Sequence, residues 1–118
     1  MFQNLFRNRA ESGPSAIDVH ELKRRIDGAE KLFLLDVRSS EEYNYDGHIA
    51  GSRLLPLPML SMRLKELPKD TTIVCVCRSG NRSSVACEQL TRQGFNQPLN
   101  LTGGMIAWQR AGYPTRKG

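Results

Sequence analysis

"TTIVCVCRSGNRSSVACEQLTRQG", residues 71–94, sets the plan of the chain. Residues 71–77 form a short, unbroken run rich in β-branched residues, the pattern of a buried strand. Residues 83–94 read as a helix, with Gly94 just past its end. Between them Cys77, Arg78, Ser79, Gly80, Asn81 and Arg82 make one tight turn, and Gly80 has the dihedral freedom such a turn needs. A thiol at that junction has four readings: a reactive sulfur, half of a redox pair, a metal ligand, or a plain core residue.

The same alternation extends in both directions. "AID" (16–18) reads as a short strand and "VHELKRRIDG" (19–28) as a helix, with Val19, Leu22 and Ile26 on one face, Asp18 as N-cap and Gly28 as stop. "KLFLLDV" (31–37) is a buried strand. "SSEEYNYDG" (39–47) has a serine cap, two early acids and a closing glycine. "SRLLPL" (52–57) is a short strand, and "PMLSMRLKEL" (58–67) predicts a helix from Pro58 that ends before Pro68. "PLNLTG" (98–103) is a strand and "GMIAWQRAGYP" (104–114) a last short helix. Strands alternating with helices predict an α/β domain, a mostly parallel sheet covered on both faces. Ligands of such sheets bind where strand ends meet helix beginnings. Cys77 and Asp36 both occupy such ends.

The chain has 118 residues, room for one domain. Residues 1–15 are expected to be a flexible N-terminal arm and 16–118 the folded domain; Phe2, Leu5, Phe6 and Arg9 span two amphipathic turns, too short to stand alone. The longest apolar runs, "LFLL" and "IVCVC", are strand-sized, so no membrane span is expected. A net charge of +5 favours anionic partners. The basic residues are scattered and aromatics do not interleave with them, which argues against nucleic acid. Three cysteines without a CxxC pair argue against a zinc site. Cys75 and Cys77 lie on one face, roughly 6.6 Å apart at about 3.3 Å per residue, the upper limit for a relaxed disulfide. With no secretory signal, a reducing, cytoplasmic setting is expected.

A cysteine is a nucleophile only as its thiolate. Three features of the turn favour that form: converging backbone N–H groups, the positive end of the following helix, and the charges of Arg78 and Arg82. Cations at a helix start oppose its dipole, by about 0.3–1 kcal/mol each. The arginines therefore need an anion or a carboxylate such as Asp36, Glu41 or Glu42. Arg82 fits either role equally, whereas Arg78, adjacent to Cys77, points to a ligand.

"LLDVRSSEEYNYDGHIAGSRLLP" (34–56), "VCVCRSGNRSSVACEQL" (74–90) and "NLTGGMIAWQRAGYP" (100–114) together resemble a single rhodanese domain, the sulfurtransferase module. The resemblance implies a five-stranded, mostly parallel sheet with helices on both sides. It implies a loop cysteine, Cys77, that takes sulfane sulfur from an anionic donor such as thiosulfate and becomes a persulfide. A thiol, cyanide or a sulfur-accepting protein then receives the sulfur. Arg78, Ser79, Gly80, Asn81 and Arg82 are implied as the binding cradle, and no cofactor or metal is called for. The same fold resemblance covers non-catalytic binding modules, cysteine phosphatases and arsenate reductases. The phosphatase signature, however, has five residues between cysteine and arginine, where this chain has four. His48 is expected in a structural turn and His20 at the surface. Cys75, Cys87 and Trp108 are expected in the core.

Overall fold

The computed structural model describes residues 15–118. Five strands form one sheet: β1 (Ser15–Ile17), β2 (Leu32–Asp36), β3 (Arg53–Leu54), β4 (Thr72–Val76) and β5 (Leu99–Leu101). Their order is β1-β5-β4-β2-β3 and every pairing is parallel. Four α-helices lie among the described residues: α1 (Val19–Asp27), α2 (Ser40–Tyr45), α3 (Asn81–Arg92) and α4 (Gly104–Arg110). The arm expected over residues 1–15 lies, apart from Ser15, outside the described residues. Ser15 opens β1. No helix among the described residues is long and apolar enough to cross a membrane.

Period-two alternation along the central strands divides the core in two. Leu35, Val37, Ile73, Cys75 and Cys77 face one side, against Ala86, Cys87 and Leu90 of α3. Leu34, Val74 and Val76 face the other, against Val19 and Leu22 of α1 and Met105 and Trp108 of α4. Strands buried on both faces are why these segments read as continuous apolar runs rather than alternating ones.

The helix starts follow local chemistry. The Asp18 carboxylate accepts from the Glu21 N–H at 2.8 Å. Ser39 and Glu42 form a reciprocal capping box at the start of α2. Trp108 is buried, and its Nε1–H donates to the Pro114 carbonyl at 2.9 Å.

The helix expected over residues 58–67 is replaced by two 3-10 segments, Leu57–Met62 and Leu64–Glu66. Main-chain bonds hold the chain to β2 on the way in, Leu55 N–H to the Asp36 carbonyl and Leu57 N–H to the Val37 carbonyl. It must then return to the opposite end of β4. A 3-10 helix rises about 2.0 Å per residue against 1.5 Å in an α-helix, so it covers more of that path.

At the end of β2 a charge pair is sealed inside. Asp36 and Arg38 are 0% and 2% exposed. Arg38 Nε and Nη2 donate to the two Asp36 oxygens, each at 2.8 Å, and Nη2 also reaches the Gly47 carbonyl at 2.9 Å. Asp36 therefore serves Arg38, not the arginines of the cysteine loop. Arg38→Met should lower stability by about 3–5 kcal/mol, because it strands a buried carboxylate. Urea unfolding should show this as a lower midpoint. The double variant Asp36→Leu/Arg38→Met should recover most of the loss.

Candidate active site

Cys77 follows β4 directly and is 1% exposed. The backbone then turns through Gly80, at φ +108°, into α3. At an ordinary helix start, a side-chain oxygen at the N-cap accepts from the N–H three residues on. Gly80 has no such side chain. The acceptor is instead the sulfur of Cys77, which takes the N–H of Ser83 at 3.3 Å, the third residue of α3. Gly80 N–H donates to the same sulfur at 3.1 Å, and the Ser83 hydroxyl lies 3.3 Å from it.

The loop is aimed from behind by α4. Met105 N–H donates to the Cys77 carbonyl at 2.9 Å and Ile106 N–H to the Arg78 carbonyl at 3.0 Å. In a trans peptide the C=O and the following N–H point in opposite directions. With carbonyls 77 and 78 turned toward α4, the N–H groups of Arg78 and Ser79 are turned away from it, toward the sulfur side. This close approach requires glycine at 104. A Cβ there would stand 2.4 Å from the Cys77 carbonyl oxygen and 2.6 Å from the Arg78 carbonyl group, at φ +56°.

These donors set the chemistry. Burial pushes the Cys77 thiol up, but the Ser83 hydroxyl and the N–H groups of Ser83, Gly80 and Ser79 outweigh it, leaving the pKa below its ordinary value. Two residues away the balance is reversed. The neighbouring Cys87 thiol and burial push Cys75 well above that value. Only Cys77 of this pair is built to be a thiolate.

The expected site residues separate into distinct roles. Cys77, Ser79 and Gly80 converge through the sulfur and its amides. Asn81 opens α3 with its side chain exposed. Arg82 pairs bidentately with Glu42, at 2.7 and 2.8 Å, and this guanidinium holds the Glu42 carboxyl down at about 2. Arg78 is exposed and forms no ion pair among the described residues. His48 stacks on Tyr43, with ring centroids 3.7 Å apart, and its Nδ1 lies 2.9 Å from the Tyr43 carbonyl. His20 is exposed and meets the Tyr113 hydroxyl at 2.7 Å. Cys75 and Cys87 are both fully buried core residues.

Three contributors escaped sequence reading: Ser83, Asn100 and Gly104. The Ser83 hydroxyl donates to Asn100 Oδ1, while Asn100 Nδ2 donates to the Gly80 carbonyl at 3.2 Å. The second bond fixes the orientation of the amide. A hydroxyl has one proton. While that proton lies on Asn100, Ser83 can only accept from a Cys77 thiol; to stabilise the thiolate it must swing onto the sulfur. Asn100 is legible as the polar centre of "LNL", Gly104 as half of a glycine doublet, and Ser83 as a serine in the first turn of α3.

Ser83→Ala should raise the pKa of Cys77 by roughly one unit, since a hydrogen bond to a charged group contributes about 1.5–3 kcal/mol. Losing a donor to the anion favours the neutral thiol. Titration of the thiolate by ultraviolet absorbance should therefore show its midpoint at higher pH than in the wild type. Gly104→Ala should cost about 1–3 kcal/mol through overpacking and should raise the same pKa by turning the loop amides off the sulfur. An unchanged thiolate titration in a folded Gly104→Ala protein would count against the aiming role of α4.

Comparison with known proteins agrees with this architecture. The model of the rhodanese-like domain matches residues 18–111. A sulfurtransferase of Allochromatium vinosum is 42% identical over 98 residues, which cover 83% of this chain and 91% of that protein. The adenylyltransferase and sulfurtransferase uba4 of Ogataea parapolymorpha is 35% identical over 66% of this chain, but only 20% of its own length is matched. A thiosulfate sulfurtransferase from Pseudomonas aeruginosa superposes with a TM-score of 0.82 at 28% identity, over 92% of this chain and 21% of that one. Fold, loop and relatives lead to one assignment: the chain belongs to the rhodanese-like domain family.

Proposed function

We propose that the protein is a sulfurtransferase that carries sulfane sulfur as a persulfide on Cys77. The observation that supports this most is the convergence on one sulfur of Gly80 N–H at 3.1 Å and Ser83 N–H at 3.3 Å, with the Ser83 hydroxyl 3.3 Å away and free to turn its proton onto it. The Cys77 thiolate attacks the outer sulfur of thiosulfate or a similar anionic donor. The donor S–S bond breaks, sulfite leaves with the electron pair, and the outer sulfur stays on Cys77. A thiophilic acceptor (cyanide, a thiol or a sulfur-accepting protein) then attacks that sulfur and returns Cys77 as thiolate. Neither step needs an external oxidant, and the hydrogen bonds that lower the Cys77 pKa assist formation of the attacking thiolate without a side-chain base. Exposed Arg78 attracts the anionic donor, and Arg82, held by Glu42, positions the first turn of α3. The three free cysteines suit a reducing, cytoplasmic setting.

Phosphoryl transfer fits these residues less well. Three equatorial oxygens need a wider ring of donors, and the leaving oxygen needs an acid. Two of the carboxylates near the loop are committed, Asp36 to Arg38 and Glu42 to Arg82.

Incubation with thiosulfate should add one sulfur to the intact mass, removable by cyanide with release of thiocyanate. Cys77→Ser should abolish both. Cys75→Ala and Cys87→Ala should retain transfer while losing about 1–3 kcal/mol of packing. Full turnover in Cys77→Ser, or aryl-phosphate hydrolysis without a persulfide, would overturn the proposal.

A further inference from the structure

Asn100 is the polar side chain of β5, and the register of that strand decides where it goes. Asn100 pairs with Cys75, so the two side chains point to the same face of the sheet, the face covered by α3. There Asn100 Oδ1 accepts the proton of the buried Ser83 hydroxyl. The Cys77 sulfur lies 3.3 Å from the same hydroxyl oxygen. One hydroxyl proton therefore has two competing acceptors, an amide oxygen and a sulfur.

The amide is not free to give way by turning over. Rotated by half a turn, it would offer Nδ2 to Ser83 and release the hydroxyl proton to the sulfur. Its Oδ1 would then face the Gly80 carbonyl, acceptor against acceptor. The bond from Asn100 Nδ2 to that carbonyl, at 3.2 Å, fixes Asn100 as an acceptor toward Ser83. While Cys77 is a neutral thiol, this acceptor is satisfied. Once Cys77 is a thiolate and Ser83 turns to it, Asn100 Oδ1 loses its donor, which disfavours the charged form.

We propose that Asn100 is a positioning residue that holds the Ser83 proton off the Cys77 sulfur and so opposes the thiolate state of the site. A second part rests on the sulfurtransferase reading: Asn100 favours the loaded state over the empty one. In the persulfide the charge lies on the outer sulfur and the inner sulfur is a neutral bridge. The Ser83 proton then returns to Asn100. Without the Asn100 acceptor, Cys77 is the better thiolate and hence the better leaving group when the sulfur is handed on.

The test is a double-mutant cycle on the thiolate titration, comparing wild type, Asn100→Leu, Ser83→Ala and the double variant. Leucine keeps the size of the side chain and loses both bonds. Any loosening of the Gly80 turn raises the Cys77 pKa in both backgrounds. Release of the Ser83 proton lowers it only where Ser83 is present. The midpoint change caused by Asn100→Leu should therefore lie about half a pH unit or more lower with Ser83 than in the Ser83→Ala background, the size of one neutral hydrogen bond. Cys75, Cys87, Arg78, Arg82 and the Asp36–Arg38 pair, the titratable and charged groups near the sulfur, are common to all four proteins. Equal changes in the two backgrounds, or a higher one with Ser83, overturn the proposal. Asn100→Ala repeats the cycle if the leucine variant does not fold.

Intact mass at fixed ratios of thiosulfate to sulfite, above the Cys77 midpoint, reads the second part. Asn100→Leu should lower the ratio of loaded to empty protein about threefold, the equivalent of half a pH unit, and only with Ser83 present. An unchanged ratio overturns the second part. Persulfide in none of the four proteins defeats the sulfurtransferase reading, while the titration cycle still decides the role of Asn100.

Discussion

Two main-chain hydrogen bonds decide which way the cysteine loop faces. Met105 and Ile106 at the start of α4 take the carbonyls of Cys77 and Arg78, and that choice turns the N–H groups of Arg78 and Ser79 toward the sulfur side. Had those carbonyls turned inward, Cys77 would meet oxygen lone pairs, and burial would keep it a neutral thiol. The interaction also explains the sheet order. β5 leads into α4 and lies beside β4, so the last helix begins next to the loop it must hold. The absence of a side chain at Gly104 lets the two backbones come that close.

Three arginines around this edge of the sheet meet three different fates. Arg38 is buried, and the pair it forms with Asp36 adds little net stability over an apolar pair, although losing either member alone is costly; its value lies in fixing the Gly47 turn against the end of β2. Arg82 is half-exposed and bound to a carboxylate from α2, which joins the capping box of one helix to the first turn of another. Arg78 alone is turned to solvent without a carboxylate among the described residues. Cations at a helix start cost energy locally, so the division is informative. One is neutralised by its own fold, and the other has no ion pair among the described residues.

How much of this could be read in advance depended on distance along the chain. The strands were legible from their apolar runs and the helices from caps one turn away, because those signals are local. Cys77, Ser79 and Gly80 were legible for the same reason. The partner of Arg82 was narrowed to three carboxylates but not chosen, since Glu42 lies 40 residues away. Asn100, 17 residues beyond Ser83, reads locally as a polar residue in a short strand, and only the β4–β5 pairing brings it beneath the loop. Arg38 was overlooked although it is two residues from Asp36, because burial of the pair is a tertiary fact. The 3-10 segments were misread because apolar spacing at 57, 60, 64 and 67 serves either helix, and the path length decides between them.

The sulfur that caps α3 makes that helix sensitive to its own chemistry. A thiolate accepts strongly from the Ser83 N–H and answers the positive end of the helix dipole; a neutral sulfur does so weakly. Ionisation of one atom and ordering of the first turn of α3 are therefore thermodynamically linked, each favouring the other. In a persulfide the negative charge moves outward by one atom, onto a sulfur that no longer sits at the cap position. On the proposed persulfide mechanism, the loaded and empty forms would differ not only by mass but in how firmly that first turn is held. Amide exchange at Ser83 becomes a gauge of where the charge resides.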